Sequence, residues 1–233
     1  MKKLLSLILL ITAFSTAVWA GDLATFINLG FSDNSRYFMF GEYGIDGKSS
    51  LPYAEVYTVD VHENQFTPRG VNRETFTITP QAGQNGMGAL LTILHSLAGK
   101  PDDPVTRYQI NHMKPGRLVY LLVNGQTPRS QIDFRDFGFG NSYRVILDQS
   151  SFGTGRDISS AFHINLTVTD RGGNVTPYII GLPNYKRPGV KTYRLKQVIF
   201  SPDESSLVFV IEKEMVSDDG VNFRYMVETV KLK

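Results

Sequence analysis

Histidine is the residue type around which many catalytic and metal sites are built, and the chain has four, His62, His95, His112 and His163. No two have the spacing of metal ligands, and none belongs to a His-x-Glu or His-Glu-x-x-His motif. Cysteine is absent, which excludes thiolate ligands, a cysteine nucleophile and disulfide bonds. We therefore expect no catalytic, metal-binding or cofactor-binding residues, and a protein that is not an enzyme.

The most unusual local chemistry lies in a basic, aromatic segment, NYKRPGVKTYRLK, at residues 184–196. It combines five basic residues with two tyrosines and contains no acid. Such a segment predicts a surface for an anionic partner, which would be a polysaccharide or a lipid head group of the cell envelope, or an envelope protein. The alternative is a solvated loop whose lysines discourage strand pairing. The candidate residues are Tyr185, Lys186, Arg187, Lys191, Tyr193 and Arg194.

The amino terminus has the pattern of an export sequence. Lys2 and Lys3 precede the apolar run LLSLILLITAF, and the small residue Ala20 ends the stretch. We expect residues 1–20 to be a signal peptide and residues 21–233 to form a single mainly-β domain, periplasmic or secreted. An uncleaved anchor is the alternative, but the run contains several polar residues and spanning needs about 20 apolar ones. No other run is long enough to span a membrane.

Export also changes the charge balance of the chain. Removing Lys2 and Lys3 from 24 basic residues leaves 22, against 22 acidic residues. A formally neutral chain gives no electrostatic reason to expect nucleic acid as a partner.

Most of the chain has sequence patterns typical of β-strands, and one short pattern occurs twice. FSDNSRYFMF at 31–40 and FSPDESSLVF at 200–209 each predict a tight turn followed by an apolar strand, and a third strand follows each. Weaker echoes near Gly116 and Asp157 give a period near 40 residues, which is typical of a propeller blade. The strands after the two turns are apolar at odd and even positions, so we expect both faces to be covered.

One segment has helical periodicity instead. In MGALLTILHSLA, residues 87–98, apolar side chains recur at helical spacing and form one stripe. Asn85 precedes the segment as a candidate cap. Because an isolated helix of this length is marginal, we expect the stripe to pack on a sheet. The expected contacts are made by Leu90, Leu91, Leu94 and Leu97.

The phrase FSPDESSLVFV resembles the repeat of TolB-type, WD-like β-propellers, and the overall layout resembles a family of predicted secreted bacterial proteins of unknown function. The resemblance implies propeller-like antiparallel meanders, forming an incomplete or small propeller, with one amphipathic helix. A β-sandwich or barrel is the alternative. For function, we expect an exported, non-catalytic binding or structural protein of the bacterial cell envelope. The alternative is a secreted or periplasmic hydrolase with a site at one mouth of the β architecture.

Overall fold

The computed structural model describes residues 22–81, 83–138, 140–217 and 220–232. The expected signal peptide, residues 1–20, lies outside them. The described chain is mainly β, as predicted, with two short α-helices. Its elements in chain order are β1 (Thr25–Ser32), β2 (Tyr37–Ile45), β3 (Pro52–Asp60), β4 (Gln65–Thr75), α1 (Met87–Leu97), α2 (Pro104–Arg107), β5 (Ile110–Asn111), β6 (Arg117–Leu121), β7 (Gln131–Arg135), β8 (Ser142–Phe152), β9 (Ser159–Thr169), β10 (Val175–Ile180), β11 (Arg187–Pro188), β12 (Val190–Phe200), β13 (Ser206–Met215) and β14 (Asn222–Lys231).

The strands form three antiparallel sheets built largely from meanders. The N-terminal sheet has the order β4-β3-β2-β1-β5. The middle sheet has the order β10-β9-β8-β7, with β11 also paired to β9. The C-terminal sheet has the order β14-β13-β12-β6, so β6 reaches it from a distant part of the chain.

The three sheets stack face to face, with the C-terminal sheet between the other two. On one side Val208 and Val210 pack with Phe40 of the N-terminal sheet. On the other side Phe209 packs with Val145 of the middle sheet. This arrangement is why β13 is apolar at odd and even positions, because both of its faces are buried as the sequence predicted. In contrast, β9 alternates because the outer face of the middle sheet is open to solvent.

The two copies of the repeated phrase fold in the same way, as predicted. Ser32 and Ser201 each donate a hydroxyl hydrogen bond, to Asn34 at 2.7 Å and to Asp203 at 2.6 Å. Each hydroxyl also accepts from a backbone N–H five residues later, at 2.9 and 3.0 Å. Both turns then place one residue in the left-handed region, Ser35 or Glu204. Each turn leads into the central strand of an equivalent three-strand meander, and Phe40 and Phe209 are fully buried in those strands.

The weaker echoes do not continue this repeat. Gly116 precedes β6, which pairs with β12 rather than beginning a meander. Asp157 lies in a short 3₁₀ helix between β8 and β9. The propeller resemblance is therefore not confirmed, whereas the antiparallel meanders and their face-to-face packing are.

Helix α1 covers the outer face of the N-terminal sheet, and three of its four predicted contacts, Leu90, Leu94 and Leu97, are confirmed. Its buried residues are Ala89, Leu90 and Ile93, while Leu94 and Leu97 are partly buried against the same cluster. Leu91 is 59% exposed, so its predicted contact with the sheet is wrong. The helix begins where Gly86 crosses Gly44 so closely that a Cβ on Gly86 would lie 2.3 Å from the Gly44 carbonyl oxygen.

Candidate functional site

The basic, aromatic segment does not form one exposed surface. Tyr185 and Lys186 are exposed, and the Lys186 ammonium group lies 4.0 Å from the centre of the Phe152 ring. This small cation–aromatic cluster sits at one end of the open face of the middle sheet. A role for Tyr185 and Lys186 with an anionic partner stays a prediction.

Two other residues of the segment belong to the interior. Tyr193 is 1% exposed, and its hydroxyl donates to the Ser160 carbonyl oxygen at 2.9 Å. The Arg187 guanidinium group lies 4.9 Å from the centre of the Phe162 ring and 3.6 Å from a Glu228 carboxylate oxygen. Tyr193 is closed off from a partner by burial, and the Arg187 guanidinium group is largely buried, with one of its nitrogens enclosed and without a hydrogen-bond partner.

The remaining three basic residues lie beside glutamates of β13, and Lys196 is 3.6 Å from Glu212. Arg194 pairs with Glu214 at 2.6 Å and with Glu212 at 3.2 Å. Lys191 lies 3.9 Å from Glu214. The segment itself contains no acid, but strand pairing brings acids from a neighbouring strand, and this tertiary partner was not visible in the segment's own composition.

The histidines remain apart in the structure. His163 lies 3.7 Å from the Asp148 carboxylate on the open face of the middle sheet, and the His112 ring is 2.6 Å from the Leu29 carbonyl oxygen. Among the described residues, no group of three or more His, Cys, Asp or Glu side chains is arranged to hold a metal ion.

A pair of carboxylates without any sequence motif lies on the inner face of the N-terminal sheet. Glu42 and Glu55 are directly opposite each other in the β2–β3 register. Glu55 pairs with Arg73 at 2.9 Å and accepts a hydrogen bond from Tyr57. Because each residue stands in a strand without any motif around it, only the pairing of the strands reveals the pair.

Glu42 is closed off from solvent. It is 1% exposed, and its carboxylate accepts a hydrogen bond from the Tyr225 N–H at 2.6 Å. Burial raises the pKa of the Glu42 carboxyl from 4.5 to about 7, against the opposing effects of the Lys213 charge and the Tyr225 N–H. A substrate cannot reach this group without separating two sheets, so the pair does not form an open acid–base site.

An exposed candidate site with a largely apolar lining lies in a groove beside helix α1. Its volume is about 570 Å³, and it lies between the first turns of α1 and the extended chain that follows β4. Ile78 is 67% exposed, Leu91 is 59% exposed and Met87 is 42% exposed, and all three line it. The apolar lining is completed by Pro52, Phe76, Pro80 and Ala89.

The groove is positioned by sequence features on either side of it. Phe76, Ile78 and Pro80 line it while the intervening threonines do not, as expected for extended backbone with alternating side chains. On the other side, the close approach of Gly86 to Gly44 sets where α1 begins. Helical spacing predicts that Leu91 contacts the sheet, and Ile78 has no predicted role. The alternation of apolar residues with threonines over residues 76–80 is the sequence signal that indicates this wall of the groove.

Comparison with known protein families shows which family the chain belongs to. The model of the predicted secreted protein family DUF2259 matches residues 39–231, which is most of the described chain. The chain belongs to this family. The family is described as one of predicted secreted proteins, in agreement with the predicted export sequence, and membership confirms the resemblance to such a family.

No curated protein and no solved structure matches the chain. Within the described ranges, no helix is both long enough and apolar enough to cross a membrane.

Proposed function

We propose that this DUF2259 family member is a non-catalytic binding protein of the bacterial cell envelope, and that the apolar groove beside α1 is its binding site. The observation that carries the proposal is the exposure of Ile78, Met87 and Leu91 along one groove. Exposed apolar side chains are ordinary when scattered, but a concave cluster of them is typical of a binding site.

The location and the absence of catalysis rest on separate support. The family is described as secreted, and export would place the protein in the periplasm or outside the cell. The buried position of Glu42 supports a non-catalytic role, because only its partner Glu55 reaches the surface and a substrate would meet one carboxylate of the pair.

The groove is tested by the binding of N-phenyl-1-naphthylamine, an uncharged probe whose fluorescence rises in apolar surroundings. We expect Leu91→Glu and Ile78→Glu each to reduce its binding at least tenfold, because a carboxylate in the groove opposes entry of an apolar ring. Both side chains are exposed, so thermal unfolding should change little. The matched control is Ile179→Glu, since Ile179 is 71% exposed on the open face of the middle sheet.

Equal binding by Leu91→Glu and the wild type would overturn the groove as the site. Catalysis is tested by incubating the protein with ester, phosphate and glycoside substrates, with and without divalent metals. We expect no turnover, and a turnover that Glu55→Gln abolishes would establish the hydrolase alternative instead.

A further inference from the structure

We infer that the groove beside α1 takes one hydrocarbon chain of an uncharged lipid, presented as a monomer rather than in a bilayer. This inference names the ligand class and rests on the proposed function of the groove. It is carried by the charge of the lining, the polar groups at the rim and the size of the groove.

The lining carries no charge. Among the described residues that line the groove, none has an ionisable side chain. By contrast, a second cleft is lined by the charged residues Asp46, Glu55, Arg73 and Arg224. A charged ligand group that entered the apolar groove would lose water without meeting an opposite charge, which is unfavourable. The groove is therefore complementary to an uncharged, apolar ligand.

The rim offers neutral hydrogen-bonding groups. Gln84, Asn85 and Thr92 line the groove at its polar margin. The Asn85 side-chain oxygen accepts from the Met87 N–H at 3.2 Å, and the Gln84 side-chain oxygen accepts from the Gln81 N–H at 2.8 Å. With both oxygens engaged, the two amide NH₂ groups remain as donors. An ester or amide carbonyl next to a hydrocarbon chain matches such donors.

The dimensions suit one small ligand. A volume of about 570 Å³ lies within the range of about 300–1,000 Å³ that small-molecule sites occupy. Since each buried methylene contributes about 0.8 kcal/mol, affinity should rise about fourfold for each one added until the groove is filled. Such a length dependence with an end point is expected of a groove and not of an open apolar surface.

The test compares monolauroylglycerol with laurate at pH 8, where the two share a chain and differ in charge. Each displaces N-phenyl-1-naphthylamine from the mature protein. We expect the neutral lipid to compete at least tenfold better. Thr92→Lys places an ammonium group at the rim, so in this variant laurate should compete at least as well as monolauroylglycerol. Thr127→Lys, in an exposed loop elsewhere, adds the same charge and should leave the preference unchanged.

Three results would overturn the inference. Equal competition by the two lipids in the wild type would show that charge is not selected. Sedimentation of the protein with phosphatidylcholine vesicles, lost in Leu91→Glu, would show that the groove meets a bilayer surface. A dimer in light scattering that Leu91→Glu dissociates would assign the groove to a second copy of the chain.

Different results would overturn the proposed function of the groove and the proposed ligand class. If Leu91→Glu leaves probe binding unchanged, the groove is not the binding site and the proposed function falls. If Leu91→Glu abolishes probe binding but no neutral lipid competes, the groove remains a binding site and only the ligand class is wrong.

Discussion

At the scale of single residues, the structure contains a buried acid whose ionisation opposes folding. Glu42 lies between two sheets, directly opposite Glu55, with the Tyr225 N–H as its hydrogen-bond donor. Lys213 and Arg224 supply the nearby positive charge. Burial outweighs these favourable contacts and raises the pKa of Glu42 to about 7. The protonated form is therefore the one that the folded protein prefers.

This shift predicts a stability that falls as pH rises. The folded pKa lies above the ordinary value of 4.5, so the contribution of Glu42 is full below pH 4.5 and is lost as pH rises through about 7. Relative to Glu42→Gln, which mimics the protonated acid, the wild type should lose up to about 3 kcal/mol across this range. Urea unfolding of both proteins at several pH values measures the difference.

The comparison with Glu42→Gln is needed because other groups, including His62 and Glu228, also have pKa values shifted by burial. Burial lowers the pKa of His62, which acts in the opposite direction, but His62 is present in both proteins and cancels. Glu63→Gln, at an exposed position, is the control and should show no such pH dependence. Parallel curves for Glu42→Gln and the wild type would contradict the prediction.

At the scale of elements, part of the apolar stripe of α1 is buried against the N-terminal sheet and part is exposed to solvent. Residues at helical spacing share a side of the helix, but the sheet contacts a band narrower than that side. Ile93 is 3% exposed within this band, whereas Leu91 is 59% exposed beside the groove. The same helix thus supplies the cover of the sheet and one wall of the candidate site.

Because Ile93 is buried and Leu91 is exposed, we expect different effects when each side chain is truncated to alanine. Ile93→Ala should lower the free energy of unfolding by about 2–5 kcal/mol, because it leaves a cavity under the helix. Leu91→Ala should change it by no more than about 0.5 kcal/mol and should weaken probe binding. Denaturant unfolding and probe titration measure the two effects. A large loss of stability in Leu91→Ala would place that side chain in the core after all.

At the scale of the whole molecule, one polar junction joins the three sheets. Asn64 follows the N-terminal sheet's β3 and donates to Glu228 of β14 at 2.5 Å. Its side-chain oxygen accepts from the Thr229 N–H at 2.8 Å. Glu228 also lies beside Arg187, which precedes the last meander and belongs to the middle sheet. The junction satisfies polar groups where three sheets meet.

Removing the Asn64 side chain should therefore lower the free energy of unfolding. The backbone of Asn64 is in the left-handed region, with φ at 52°, so Asn64→Gly keeps the turn and removes only the side chain. We expect a loss of about 1–3 kcal/mol, because the Thr229 N–H and the Glu228 carboxylate lose their partner. The exposed neighbour provides the control, Gln65→Ala, which should have little effect. Equal unfolding midpoints for Asn64→Gly and the wild type would show that the junction contributes nothing.

The sequence by itself determined what depends on neighbours along the chain. Turn chemistry identified the two equivalent turns at Ser32 and Ser201, because a serine hydroxyl and the Asn or Asp two residues later bond locally. Two-sided apolar strands predicted burial on both faces of β13. Helical spacing found α1, and the family match bears out the secreted class.

Only the tertiary structure decided which groups from distant parts of the chain meet. The acids that neutralise Arg194 come from β13, and Glu42 meets Glu55 only through strand register. The packing of α1 on the sheet leaves Leu91 59% exposed beside the groove, although helical spacing predicts its contact with the sheet. Charge pairing depends on which strands are neighbours and in which register, so the local pattern of each strand does not specify it.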